Sequence, residues 1–242
     1  MKLAALQYCP PHGQPARARE QLRELLMRAK GVELVVCPEM AISGYVFDSA
    51  DEIAPHTEAA DGETYSMLAE CAIELGAWIV CGIAERDGDA LYNSALTVAP
   101  SGELVSCYRK VLLFEQDKTW AQRGTERSLI ATNTLGLLCP AICMDINDDN
   151  FARFILSEKP TVLAFCTNWI DEGHEILPYW RMRLFGWQGW MVAADRWGDE
   201  RGTPFYGRSA ILGPGDEILG VLPPEGDALL VVDTETGRTE IR

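Results

Sequence analysis

The 242 residues suffice for one large domain with a proper core, and 48% hydrophobic with 24% charged residues is ordinary for a soluble globular chain. A formal net charge of −15 argues against nucleic acid or an anionic membrane as partner. The start, through Gln7, carries too short an apolar stretch for a signal peptide, no run reaches membrane-spanning length, and the expectation is a cytoplasmic protein. In chain order, Lys2–Tyr8 reads as a strand and Ala16–Lys30 as an amphipathic helix ended by Gly31. Glu33–Cys37 is a buried strand stopped by Pro38, Thr64–Leu75 a helix closed by Gly76, and Trp78–Ile83 a further buried strand. Leu91–Ala99 and Glu103–Tyr108 form a hairpin across Pro100, Ser101 and Gly102. Then come a strand at Leu137–Met144, a helix at Asp149–Ser157, a strand at Thr161–Cys166, a helix at Pro178–Gln188 and a strand at Trp190–Asp195. Strands at Ser209–Leu212, Ile218–Val221 and Ala228–Val232 close an α/β layered chain with a mixed sheet, read as one domain over residues 1–242.

The eight cysteines mostly sit in apolar runs without C-x-x-C spacing, and the three histidines are scattered, so neither a disulfide framework nor a metal site is expected. Cys143 is different. The apolar run from Leu135 breaks just after it into Asp145, Asn147, Asp148 and Asp149, good helix starters. A thiol at such a turn sits near N–H groups that favour its thiolate, although free cysteine is more often a small buried hydrophobe. Glu39 follows a buried strand and Pro38, where desolvation can raise a carboxylate into general-base range; the plainer alternative is a solvated strand-end charge. Lys110 closes a strand with apolar residues beyond it, placed either to donate to an oxyanion or to snorkel to the surface. Cys139, inside the apolar run and before Pro140, reads as core. Trp169, Trp180, Trp187, Trp190 and Trp197 form a Trp-rich region suited to packing or an interface, with Asn168 and Trp169 at a strand end where a substrate pocket would lie.

These segments, in this order, resemble the carbon–nitrogen hydrolase (nitrilase) superfamily. The match runs through Pro38, Glu39, Ser43, Gly44 and Tyr45, then Tyr108, Arg109, Lys110, Leu113 and Phe114, then Ile142 to Asp145. It continues in Leu91–Ala95, in Ala194, Asp195, Arg196 and Gly198, and in a tail from Phe205 through Pro214 to Gly215 and Asp216. The resemblance implies a four-layer α-β-β-α sandwich and a cofactor-free, metal-free amidase. Glu39 would be general base and acid, Lys110 and the Met144 N–H would hold the oxyanion, and Cys143 would carry a thioester. Met144, Glu115, Asn168, Trp169 and Tyr45 are the further residues expected at the oxyanion and substrate positions. The family's second glutamate falls near Lys118, with Glu115 or Asp117 able to replace it if the loop is redrawn. Cys143-Met144-Asp145 favours amides over nitriles and resembles the branch holding protein N-terminal amidases. A small linear carboxamide is therefore the expected substrate, with carbamoyl-amide hydrolysis, acyl transfer or a silent ligand-binding relative as alternatives. The resemblance also implies a homodimer or larger homo-oligomer.

Overall fold

The computed structural model describes residues 1–242 except Asp216, so the last residue of the tail motif lies outside the described residues. The first half runs β1 (Lys2–Gln7), α1 (Pro15–Leu26), β2 (Leu34–Val36), α2 (Ala50–Ile53), α3 (Glu63–Leu75), β3 (Trp78–Asp87), β4 (Ala90–Val98) and β5 (Leu104–Arg109). The second half runs β6 (Ile130–Thr132), β7 (Gly136–Ile142), α4 (Asp149–Glu158), β8 (Val162–Thr167), α5 (Leu177–Arg183) and β9 (Trp190–Asp195). It continues with a hairpin of β10 (Trp197–Glu200) and β11 (Thr203–Tyr206), then β12 (Ala210–Leu212), β13 (Ile218–Val221), β14 (Ala228–Asp233) and β15 (Thr239–Ile241).

Among the described residues, one sheet has the order β15-β14-β1-β2-β3-β4-β5 and the other β13-β12-β9-β8-β7-β6. Both are mixed: β1, β2 and β3 run parallel, as do β7, β8 and β9, and antiparallel strands flank them. The central strands are near-continuous apolar runs because both faces are covered. Leu3, Val36 and Val80 of the first sheet meet Leu138, Val162 and Val192 of the second in one core. Helices α1 and α3 cover the outer face of the first sheet, and α4 and α5 that of the second. This is the four-layer α-β-β-α sandwich.

The helices follow their apolar stripes. Pro15 opens α1, and Ala18, Leu22, Leu25 and Leu26 are its buried face, where a Leu22→Ala change would cost about 2–5 kcal/mol. The helix stops at Leu26, four residues short of the sequence expectation, because tight turns take over at Met27–Ala29 and Gly31 only ends the turn that follows. Gly76 does end α3, in the left-handed conformation. Helix α5 is also shorter than expected, ending at Arg183. Strand β7 ends at Ile142, which leaves Cys143 and Met144 in a 3-10 turn spanning Cys143–Asn147. The β10–β11 hairpin was not foreseen; its turn is Arg201-Gly202, both at positive φ.

Candidate active site

Glu39 is delivered by the loop after β2. The Cys37 N–H donates to the Val80 carbonyl, Gly82 N–H to Pro38 and Ala41 N–H to Gly82, so the loop lies flat against β3. Only glycine permits this approach: a Cβ on Gly82 would stand 2.5 Å from the Glu39 Cα and 2.7 Å from the Met40 nitrogen. Met40 itself has φ +50°, a turn that sends the Glu39 side chain inward. Lys110 directly follows β5 and is fixed at both ends of its peptide, its N–H donating to the Asn93 carbonyl and its carbonyl accepting from Gly124.

The two side chains meet in a fully buried cluster. Lys110 Nζ donates to Glu39 Oε1 at 2.7 Å and to Asp117 Oδ2 at 2.6 Å. Asn93 Nδ2, from β4, bridges the same two carboxylates at 2.7 and 3.1 Å. Glu39 Oε2 accepts from the Asn168 N–H at 2.9 Å, and Asp117 Oδ2 from the Phe114 N–H at 3.0 Å. Every carboxylate oxygen in the cluster thus has a donor, as burial of charge requires.

Cys143 opens the 3-10 turn at the end of β7 with φ +40°, a costly conformation for a residue with a Cβ. What holds it is Asp145, two residues on. Asp145 Oδ2 accepts from the Ile142 N–H and the Tyr108 hydroxyl, and Oδ1 from the N–H groups of Val111 and Leu112 and from Arg127 Nη1, all within 3.1 Å. One carboxylate therefore ties the turn carrying Cys143 to the segment that follows Lys110. The Cys143 and Met144 N–H groups begin the turn and have no carbonyl behind them within it, which leaves donors near the thiol.

Electrostatics follow from burial. Desolvation pushes the Glu39 carboxyl up; the Lys110 ammonium opposes this and Asp117 adds to it. Burial also pushes the Cys143 thiol well above its usual range, helped by the Glu39 charge and opposed by Lys110, Thr167 and the Asn168 N–H. Burial works against the Lys110 charge, but Asp117 and Glu39 overcome it and hold the ammonium above the usual lysine range. The resting arrangement is a neutral thiol beside a carboxylate of raised basicity and a permanent cation. Such a group can take a thiol proton as the sulfur attacks, and can steady a developing oxyanion.

Beside Cys143 lies a cavity of about 170 Å³ lined by Tyr45, Phe114, Met144, Asn147, Asn168, Trp169, Ile170 and Glu172. The structure thus brings Glu39, Lys110, Cys143, Met144, Asn168, Trp169 and Tyr45 to one place. Tyr45 is aimed by a second buried carboxylate: Glu200 Oε1 accepts from the Tyr45 and Val46 N–H groups, while Oε2 takes Arg196 Nη1 at 2.7 Å. Trp169 stacks edge-on against Trp180, whose ring packs on Phe165, so one face of the Trp-rich region is cavity wall and the other core. Trp187 is core, donating from Nε1 to the Pro160 carbonyl.

Glu115 is a correction. It is 81% exposed and pairs with Lys118, outside the cavity, and Lys118 is exposed too. The 3-10 turn over Asp117–Thr119 rotates both outward and turns Asp117 onto Lys110. Sequence reasoning also passed over Asn93 as a site group and Arg127 as the partner of Asp145 and Asp148. Asn93 stands in the middle of β4 next to Ser94 and not far from Thr97, all three buried, so nothing in the strand's own pattern singled it out. Cys139 is buried and its thiol is pushed up by desolvation. Among the described residues no group of three or more His, Cys, Asp or Glu is placed to hold a metal, and no helix is long and apolar enough to cross a membrane.

The profile of the family described as carbon-nitrogen hydrolase matches residues 2–240. A Pyrococcus abyssi protein named nitrilase is 32% identical over 228 residues, covering 91% of this chain and 84% of its own. The Schizosaccharomyces pombe protein N-terminal amidase is 28% identical over 285 residues, covering 97% of this chain and 100% of its own. Among solved structures, a mutant amidase from Nesterenkonia sp. AN1 with an acetamide moiety on its active-site cysteine superposes with a TM-score of 0.83 at 22% identity. That superposition covers 96% of this chain and 89% of the other, and speaks to the fold.

Proposed function

Because the chain belongs to the carbon-nitrogen hydrolase family, we propose that it is a thiol amidase that converts a small linear carboxamide to acid and ammonia through a thioester on Cys143. The observation that carries this is the buried Glu39–Lys110–Asp117 cluster beside a thiol held at a strained strand end. Glu39 takes the thiol proton as Cys143 attacks the carbonyl carbon. Lys110 and the Met144 N–H hold the tetrahedral oxyanion. Collapse breaks the C–N bond, Glu39 returns the proton to the leaving nitrogen, and ammonia departs from the acyl-enzyme. Water then enters, gives a proton to Glu39 and attacks the thioester; the acid leaves and the thiol is restored. Asp117 takes the place of the family's second glutamate as the other anchor of Lys110, one methylene shorter.

Relatives named protein N-terminal amidase, omega-amidase and 2-oxoglutaramate amidase support a carboxamide substrate. The working unit is residues 1–242 as one domain, in the cytoplasm. Exposed Leu156, Met182 and Phe185 on and beside α4 and α5 supply an apolar face for self-association, which light scattering would detect. The test of the chemistry is intact-protein mass spectrometry with a panel of small carboxamides, alongside an ammonia assay. The expected result is an acyl adduct with ammonia release, both abolished by Cys143→Ala. A folded protein that releases no ammonia and gains no adduct from any of them would overturn the reading in favour of a silent binder.

A further inference from the structure

Thr167, the last residue of β8, plays no part in the chemistry just described. It is fully buried, and its Oγ1 has no hydrogen-bond partner in the resting protein, a state in which buried hydroxyls are rarely left. The parallel register of β7 and β8 sets Ile142 beside Cys166, so Cys143 and Thr167 come next at neighbouring strand ends. On its other side Thr167 pairs in register with Asp195 of β9, whose Oδ1 accepts from the Trp169 N–H and whose Oδ2 is likewise unpartnered. Burial keeps the proton on Asp195, so that carboxyl is no anionic competitor for the hydroxyl. Three groups pull the Cys143 thiol down against burial and the Glu39 charge: Lys110, the Thr167 side chain and the Asn168 N–H. Two of them are committed elsewhere, Lys110 to Glu39 and Asp117, and the Asn168 N–H to Glu39 Oε2. Thr167 alone is free. A neutral thiol is a weak acceptor and draws no close bond from it, whereas a thiolate is a strong one, and contacts of this kind tighten as the reaction proceeds.

Resting on the amidase reading, we infer that Thr167 is a further catalytic residue, whose hydroxyl donates to the Cys143 sulfur whenever that sulfur carries negative charge. This happens first as Glu39 takes the thiol proton, and again as the thioester breaks and the sulfur leaves as thiolate. No proton changes hands in it: the Thr167 O–H bond stays intact and Glu39 handles the proton as before. Because the contact is to sulfur and not to substrate, it acts on kcat and leaves KM nearly alone.

The experiment uses variants that separate the hydroxyl from the shape of the side chain. Thr167→Val removes the hydroxyl and keeps the branching, Thr167→Ala removes both, and Thr167→Ser keeps the hydroxyl and loses a methyl. Cys143 reactivity is read as its rate of alkylation by iodoacetamide against pH, followed at the Cys143 peptide by mass spectrometry. Turnover is read as ammonia release from the carboxamide panel, with circular dichroism to verify folding. Thr167→Val and Thr167→Ala should each lose on the order of tenfold in alkylation rate at neutral pH and in kcat, the scale of a hydrogen bond to a charged acceptor. Their KM should change little, and their alkylation profile should move to higher pH. Thr167→Ser should stay within a few-fold of wild type throughout. Wild-type reactivity in Thr167→Val overturns the proposal, and so does a Thr167→Ser variant as impaired as Thr167→Val, since shape would then be what matters. A wild type that is alkylated at Cys143 yet releases ammonia from no carboxamide overturns the amidase reading, while the alkylation rates still decide for or against the contact of Thr167 with the sulfur.

Discussion

Replacing Asp117 by asparagine changes one buried charge and almost nothing in shape. In the wild type the Lys110 ammonium lies between two carboxylates, 2.7 Å from Glu39 and 2.6 Å from Asp117. Carboxylate oxygens bridged by one ammonium stand about 5 Å apart, which at an effective dielectric of about 20 gives a repulsion of about 3 kcal/mol. That repulsion is one reason the Glu39 carboxyl is raised, after burial itself. Asp117→Asn removes it, so the Glu39 carboxyl falls and stays ionised to lower pH. The acid limb of kcat/KM should move to lower pH, because it reports the base of the free enzyme. The plateau rate should fall about tenfold, since a weaker base takes the thiol proton less readily. The assay is ammonia release from a short aliphatic amide between pH 4 and 9, at constant ionic strength, with circular dichroism to verify folding at each pH. An acid limb that stays in place, with the rate intact, would refute the claim that Asp117 sets the basicity of Glu39 through their shared lysine.

Gly82→Ala forces a methyl group into the Glu39–Met40 backbone and should cost about 1–3 kcal/mol in urea unfolding, with a larger loss of kcat than of stability. Asp145→Asn strips the carboxylate that binds four neutral donors and Arg127, and should destabilise by about 3–5 kcal/mol. Hydrogen exchange should then show Ile142 and Val111 losing protection together, and protection lost at only one of them would count against the shared tie. Asp195 is buried, and desolvation raises its carboxyl well above the usual range, with Glu39 adding to this. The folded protein keeps that proton where the unfolded chain releases it, so the contribution is full below about pH 4 and is lost as pH rises toward the folded value. Asp195→Asn keeps the acceptor for the Trp169 N–H and should gain on wild type steadily from pH 5 to pH 8; a difference independent of pH would refute the assignment.

The sequence revealed most where local pattern and tertiary context agree. Glu39, Lys110 and Cys143 stand at strand ends, and strand ends are what apolar periodicity marks best. Asp117 was harder: Glu115, Asp117 and Lys118 crowd one short loop, and which of them faces inward depends on the rotation of a single 3-10 turn. Asn93 hid for the opposite reason, being one of three buried polar residues, with Ser94 and Thr97, in a strand whose pairing partners only the assembled sheet reveals. The Trp197–Tyr206 hairpin was missed because its strands are four residues each and mostly polar or half-buried, so they carry no periodic signature. Helix α1 ended early because turn hydrogen bonds at Met27–Ala29 outcompete a helix that residue preference alone would extend to Gly31.

Glu39, Asn93 and Lys110 hang from the first sheet and Cys143, Thr167 and Asn168 from the second, so the reacting groups face each other across the seam of the sandwich. The two sheets act as the jaws of a caliper, and the shared core of Val36, Val80, Ile142, Val162 and Val192 sets the gap. A methylene added or removed there shifts the distance from base to sulfur, whereas the same change under α1 or α4 merely loosens an outer layer. Catalytic rate in this protein is therefore a gauge of how its two halves are packed, legible at positions that never touch a substrate.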